Sequence, residues 1–257
     1  MKLWSYIALA IVLALVLIDI IALSIPSTDD LSPYNPLWNG LSKLSSCTNA
    51  SIITYSAIQM LNPGTSALII IGLDRNITEA NIPPIKRFVE QGGTLIVADE
   101  REELNSLLLA LGVKARINGS LVADEVFYYR SPSLPIAKAS IGSANISLYL
   151  NYPSFIEVKG SAGKCLGYSS PFSFIDINGD GVREPNEPYG PFCVVYMQGI
   201  GEGTVYVISD SSIFINSMIN LGDNKRFIQL LTNGRAVYIV YEPMKKAIYT
   251  LTGSLQA

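Results

Sequence analysis

Short, continuously apolar runs alternate with helix-like segments over residues 66–112. The runs SALIIIG (66–72) and TLIVA (94–98) have the length and composition of strands that are buried on both faces. Each is followed by a segment with helical spacing, and these two segments stop at Gly92-Gly93 and at Gly112. Strand–helix–strand–helix alternation predicts a parallel sheet with helices on its faces.

The same alternation returns near the C-terminal end. GTVYVIS (203–209) and AVYIVY (236–241) are predicted strands, and residues 211–219 and 223–233 are predicted helices. Between them and the first half, residues 113 to about 200 alternate apolar and polar side chains between Gly, Ser and Pro turns. The predicted fold class is therefore α/β, a parallel sheet with a β-rich insertion.

Residues 3–25 form an apolar run that carries one charge, Asp19. A span of about 20 apolar residues crosses a bilayer core, so the run predicts an N-terminal transmembrane helix kept as a signal anchor, with a cleaved signal peptide as the alternative. Lys2 precedes the run and Asp29 and Asp30 follow it, which predicts a single-pass cell-membrane protein with its remainder outside the cytoplasm. The predicted organisation is an anchor (1–26), an extended lead-in with a short helix (27–45) and the α/β domain (46–257).

Sequons and cysteines agree with an exported domain. Four N-x-[ST] triplets offer glycosylation sites at Asn49, Asn76, Asn118 and Asn145. The three cysteines leave one unpaired thiol if a disulfide forms, and Cys165 and Cys193 are the favoured pair because they bracket a short acidic segment. Cys47 is then a spare thiol or a link to another chain, and the alternative is that all three cysteines are reduced.

The acidic segment DINGDGVREPNE (176–187) matches the calcium-loop pattern D-x-[DN]-x-[DN]-G-x5-E. Alternate oxygens, a glycine for the sharp bend, one backbone carbonyl and a final bidentate carboxylate are what such a loop supplies to Ca²⁺. The predicted ligands are Asp176, Asn178, Asp180, the carbonyl of Val182, and Glu187. Because prolines rather than helices flank the segment, the expected role of the ion is structural, and the alternative is a metal-free turn.

The composition excludes several kinds of chemistry. There is no histidine among the 257 residues, so catalytic triads and histidine metal sites cannot be built from this chain. The net charge is −3 with no basic stretch, which disfavours nucleic acid as a partner. No nucleophile elbow or phosphate-binding glycine loop follows a strand.

The carboxyl ends of the predicted parallel strands place a few polar side chains at one sheet edge, where α/β proteins bind ligands. These pocket candidates are Asp99, Glu100, Asp210 and Ser211. The aspartates are also good helix caps, so a structural role competes with acid–base chemistry.

Three segments, LSPYNPLWNGLSKL, EQGGTLIVADE and VYVISDSSIFINSMINLGDNKRFIQLL, resemble an uncharacterised family of membrane-anchored archaeal and bacterial proteins with a class I glutamine amidotransferase-like domain. The resemblance implies a flavodoxin-like three-layer fold. It does not imply amidotransferase activity, because those enzymes use a cysteine on a strand–helix elbow and a histidine, and TLIVA here runs into Asp99 and Glu100.

The expected function is a membrane-anchored, extracellular, calcium-stabilised and non-catalytic binding or scaffolding domain. Two alternatives remain open. One is a hydrolase or transferase that uses the carboxylates at the sheet edge. The other is a subunit of a membrane transport or surface assembly, with a membrane or surface protein as its partner, which Asp19 and an unpaired Cys47 would suit.

Overall fold

The computed structural model describes residues 2–24, 26–72 and 77–242. Its helices are α1 (Lys2–Ser24), α2 (Ser42–Thr48), α3 (Ile82–Glu90), α4 (Asn105–Leu111) and α5 (Asn224–Thr232). Its strands are β1 (Ser51–Ile53), β2 (Ser66–Ile71), β3 (Thr94–Ala98), β4 (Ala115–Ile117), β5 (Val122–Asp124), β6 (Ile136–Ile141), β7 (Ala144–Tyr149), β8 (Ile156–Val158), β9 (Gly163–Tyr168), β10 (Ser173–Ile175), β11 (Cys193–Ile200), β12 (Gly203–Ile208) and β13 (Ala236–Val240).

The centre of the molecule is a nine-stranded mixed sheet with the order β1-β13-β2-β3-β12-β11-β9-β6-β7. The first five strands in this order are parallel, and the pairings from β12 through β11, β9 and β6 to β7 are antiparallel. Two small two-stranded sheets, β10-β5 and β4-β8, lie outside it.

The parallel half has a hydrophobic core on each face, because the side chains of a strand alternate between faces. On β2, Leu68 and Ile70 pack with the apolar sides of α3 and α4, whereas Ile69 and Ile71 pack with α2 and α5. Every residue of β2 and β3 is buried, as the continuous apolar runs predict. Gly112 ends α4 with a φ of 79°, a conformation that glycine adopts without strain.

The predicted flavodoxin-like fold is wrong. The four antiparallel strands β11, β9, β6 and β7 extend the main sheet from five parallel strands to nine strands, instead of forming a separate insertion. The joining step is the β11–β12 hairpin, whose register pairs Ile200 with Gly203. An antiparallel hairpin needs only a short turn, so the β-rich segment returns directly onto the edge of the parallel half.

The predicted transmembrane helix is also wrong, and the cell-membrane and extracellular location falls with it. Within the described residues, no helix combines the length and the apolarity needed to cross a bilayer. Helix α1 is present over Lys2–Ser24. The side chain of Asp19 lies outside the described part.

One predicted helix does not form. Residues 211–219 contain a single 3₁₀ turn, Ser212–Phe214, after which Ile215 is extended with ψ 159°. The segment is held by its buried side chains, Ile213, Phe214, Ile215, Met218 and Ile219, which all face the core. Apolar residues on every side of a helix of this length could not all be buried at the edge of the sheet, so the chain turns instead.

Candidate functional site

The structure brings three of the four predicted pocket residues together at the ends of β3 and β12. The Ser211 hydroxyl donates to Glu100 Oε2 over 2.6 Å, and the Ser211 amide donates to the same oxygen over 3.2 Å. Asp210 is fully buried, and its carboxylate accepts the amides of Asn151 and Ser212, both over 2.7 Å. These contacts join β12 to the turn after β7 and to the 3₁₀ turn that follows.

The environment of Asp210 favours a protonated carboxyl group. Burial raises the pKa of Asp210 to about 8, and the nearby charge of Glu100 adds to this rise, while the amides of Asn151 and Ser212 act in the opposite direction. An acid that keeps its proton near neutral pH, beside a serine–carboxylate contact, has the composition of a general acid–base site.

The accessibility of these groups argues against that chemistry. Asp210 has no exposed surface and Ser211 is 2% exposed, so neither presents a reacting atom to a substrate in this structure. Asp99 is also fully buried, and its Oδ1 accepts the backbone amide and the Nε of Arg101. Asp99 and Asp210 therefore stabilise the turns that follow β3 and β12, each by accepting the backbone amide two residues further on, and neither is the N-cap of the 3₁₀ helix that follows it.

A cavity of about 400 Å³ lies beside the carboxyl ends of β2 and β13. Its charged lining side chains are Asp29, Asp30, Arg101 and Glu242. None of the four predicted pocket residues lines it, so the sheet edge does not gather them around a common space.

A much larger cleft, of about 1260 Å³, opens in the antiparallel half of the sheet. Strands β6 and β9 are paired only at Lys138–Tyr168 and Ala139–Gly167, and then diverge. Apolar side chains from β6, β7, β9 and β11 line the cleft, together with serines, tyrosines and two lysines, and none of its lining residues is acidic. The sequence predicted no cleft here, because the partial pairing of β6 with β9 leaves no signal in the hydrophobic pattern.

The predicted calcium loop forms a turn stabilised by its own side chains. Asp176 accepts the amides of Gly179 and Gly181, and Glu187 accepts the amides of Ile177 and Glu184. Both carboxylates are buried. Asn178 donates its side-chain amide to Asp180 Oδ2 over 3.1 Å, while the side chain of Val182 is exposed.

The donor atoms of this loop suit Ca²⁺ in kind but not in their present arrangement. Oxygen donors from carboxylates, an amide and a backbone carbonyl are the ligands that calcium prefers. In the part of the chain that the structure describes, however, no three acidic or cysteine side chains are grouped so that they could hold a metal.

The cysteines and sequons are placed as follows. Cys165 and Cys193 form a disulfide with a Cα–Cα distance of 5.9 Å, joining β9 to β11, and Cys47 is free and half-buried. Burial raises the pKa of the Cys47 thiol.

With the extracellular location overturned, the predicted glycosylation of the four sequon asparagines loses its basis. Asn49 ends α2 in the left-handed conformation, Asn118 donates to Glu157, Asn145 accepts from Ser140, and Asn76 lies outside the described residues.

Two buried asparagines have structural roles that the sequence did not reveal. Asn224 uses its side chain to pair with the backbone of Tyr149, accepting the amide and donating to the carbonyl, both over 2.9 Å. With the Asp223 carboxylate, which accepts the Ser147 amide, it covers the free edge of β7. Asn216 donates to the carbonyls of Asn35 and Leu37 and so fixes the lead-in against the domain.

Comparison with known families assigns the chain. A family model described as a domain of unknown function, DUF4350, matches residues 33–232, which is well over half of the sequence. The chain belongs to the DUF4350 family. The match takes in both halves of the sheet of this DUF4350 domain except β13, together with the cleft and the acidic loop.

Solved structures show similarity of fold alone. The mmIFT52 N-terminal domain is 16% identical with a TM-score of 0.53, over 71% of this chain and 82% of that one. Cytoplasmic protein STM1381 from Salmonella typhimurium LT2 is 13% identical with a TM-score of 0.42, over 77% and 87%. The exo-β-1,4-mannosidase Op5Man5 from Opitutaceae bacterium strain TAV5 is 15% identical with a TM-score of 0.34, over 65% and 24%. No protein with a curated description matches the sequence.

Proposed function

We propose that this DUF4350 domain is a non-catalytic binding or scaffolding domain whose ligand occupies the cleft between β6 and β9. The observation that carries the proposal is a contrast between two regions. The acidic residues Asp99 and Asp210 are buried and bonded to backbone amides, whereas the cleft is open, about 1260 Å³ in volume and lined by no acidic residue. This volume lies above the range of roughly 300–1,000 Å³ that is typical of small-molecule pockets, which favours a macromolecular segment.

Kinship with class I glutamine amidotransferase-like proteins is a further proposal. It is supported by the three motifs quoted above, two of which form β3 and β12 with their following turns in the parallel half. The chemistry of those enzymes is not proposed for this chain. Asp99 and Glu100, and no cysteine, follow β3 directly, and the chain contains no histidine.

Calcium as a structural ion of the 176–187 loop is also a proposal. The spacing of five residues and the burial of Asp176 and Glu187 support it. Calcium in this position would neutralise carboxylates that the turn already holds close to its backbone.

The binding proposal is tested with 8-anilinonaphthalene-1-sulfonate, an apolar anionic dye that becomes fluorescent in apolar clefts. We expect saturable binding that is weakened at least about fivefold by M197Q in β11, because Met197 lines the cleft and glutamine keeps its length but adds an amide. L109Q is the matched control, since Leu109 is exposed on α4. Equal binding by wild type, M197Q and L109Q would contradict the proposal, as would turnover of a substrate that D210N abolishes.

A further inference from the structure

The edges of β6 and β9 face the cleft and pair with each other over only part of their length. β6 pairs with β7 along its whole length, and β9 pairs with β11, but the ladder between β6 and β9 stops after two residue pairs. Its continuation in register would pair Ser140 with Leu166 and Ile141 with Cys165, and all four residues line the cleft instead. Within the described residues, the ladder between β6 and β9 contains only the pairs Lys138–Tyr168 and Ala139–Gly167.

Gly167 explains why the strands touch at one end of the ladder and separate beyond it. A Cβ atom at Gly167 would lie 3.1 Å from the Ala139 Cβ and 3.0 Å from a Val195 methyl carbon, so this approach depends on two small residues. The β9–β11 register also shifts at Val195, which is the geometry of a bulge. Bulges increase local twist and bend a strand, so β9 turns away from β6 beyond this point.

The charge of the cleft is one-sided. Lys138 and Lys164 are exposed on β6 and β9, and both line the cleft. The Lys138 ammonium donates to the Ser147 hydroxyl over 2.6 Å. The apolar part of the lining includes Ile141, Leu166 and Met197.

We propose that the cleft binds an extended, acidic segment of a partner polypeptide, which adds as a strand to the free edge of β6 or β9. The inference rests on the proposed binding function and names the class of ligand. Unused amides and carbonyls of a strand edge recognise another extended backbone. In such a strand alternate side chains point to the same face, so acidic residues would lie on the face that carries Lys138 and Lys164, and apolar residues on the face that carries Ile141.

The test titrates the protein with a synthetic peptide, Ac-Glu-Val-Glu-Leu-Glu-Val-Glu-NH2, and measures the binding affinity by isothermal titration calorimetry at low salt. We expect saturable binding, with affinity at least about tenfold weaker for the peptide in which lysine replaces every glutamate. N-methylation of the valine and leucine amides removes backbone donors and should weaken binding to a similar extent. The double variant K138E/K164E should also lose at least about tenfold in affinity.

The matched control is K86E, which changes an exposed lysine on α3 that does not line the cleft. It should change affinity less than about twofold. K138Q/K164Q, with a circular dichroism melting curve like that of the wild type, serves as the second variant if the charge reversals unfold the domain.

The outcomes separate the two proposals. Equal affinity for the acidic and basic peptides, for the N-methylated peptide, or by K138E/K164E overturns the strand-addition inference. If the anionic dye binds in the cleft but the acidic peptide does not, the ligand class is wrong and the binding function stands. If neither binds, both proposals fall.

Discussion

Replacement of Asn224 by alanine should weaken the fold through the edge of β7. The side chain has no exposed surface and makes three hydrogen bonds to backbone groups: one from the Tyr149 amide and two to the carbonyls of Tyr149 and Met218. Alanine removes all three and leaves the Tyr149 amide without that acceptor in a buried position. At about 1 kcal/mol for each lost bond, the expected loss in free energy of unfolding is ~3 kcal/mol.

Urea denaturation followed by circular dichroism measures this loss. We expect a lower midpoint with an unchanged slope, because the substitution alters stability and not the surface exposed on unfolding. N220A is the matched control, since Asn220 is exposed in the same loop, and it should cost less than about 0.5 kcal/mol.

Asn224→Asp adds a second check. Aspartate keeps the acceptor for the Tyr149 amide but places a carboxylate oxygen against two carbonyls, so this variant should be less stable than N224A at neutral pH. A loss below about 1 kcal/mol in N224A, or an equal loss in N220A, would refute the view that Asn224 fastens the sheet edge.

The remaining predictions concern the disulfide, Asp210 and the acidic loop. Replacing both Cys165 and Cys193 by serine opens a loop with a sequence separation of 28 residues. In chemical denaturation without reductant, this should lower the free energy of unfolding by roughly 3–4 kcal/mol. Equal stability of the oxidised wild type and the double serine variant would contradict this prediction. Because burial raises the pKa of Asp210 to about 8, the folded protein keeps a proton that the unfolded chain releases above about pH 4, so stability should fall as pH rises from about 4 to 8, by up to ~1.4 kcal/mol per pH unit. Denaturation midpoints across that range should be flatter for D210N, and an identical pH profile would exclude Asp210 as the source. Calcium at about 5 mM should raise the melting temperature by roughly 2–4 °C relative to chelator if the affinity lies near 10⁻³ M. E187Q should abolish that rise in melting temperature. If the melting temperature of the wild type is the same with calcium and with chelator, the loop does not bind calcium.

The local elements of the parallel half could be predicted because each rests on a local pattern. TLIVA forms β3 with the predicted bounds, and GTVYVIS forms β12 with one residue less. Gly112 ends α4 as expected. Each of these elements has a strong apolar run and a clear stop signal in the sequence. Recognising them requires no knowledge of distant residues.

The arrangement of the sheet could not be predicted because it depends on contacts between distant residues. Nothing in the local sequence of β11 shows that it pairs with β9 on one side and β12 on the other. The same holds for Asn224, which reads as an ordinary residue at a helix start but pairs with Tyr149, 75 positions away. The helical pattern of 211–219 failed because its apolar residues are buried on all sides by the core, and this burial overrides local preference.

For the polar residues at the ends of β3 and β12, the sequence predicts their position after a strand but not whether they are accessible to a substrate. Asp99, Glu100, Asp210 and Ser211 follow the parallel strands β3 and β12, and the structure joins Glu100 to Ser211. The burial of Asp99, Asp210 and Ser211, which argues against acid–base chemistry, depends on the surrounding fold and leaves no local signal in the sequence. The cleft depends on the short ladder between β6 and β9, so no single motif could have indicated it.

The central claim is that the diverging edges of β6 and β9 form the binding site of this DUF4350 domain. Hydrogen exchange followed by mass spectrometry, with and without the acidic peptide, tests it directly. The account predicts that, within residues 140–142 and 163–166, the amides directed at the cleft rather than at β7 or β11 exchange rapidly in the free protein and become protected when the peptide is added, while residues 99–101 and 210–212 do not change. Protection at the ends of β3 and β12 instead, with the cleft segments unaffected, would contradict it.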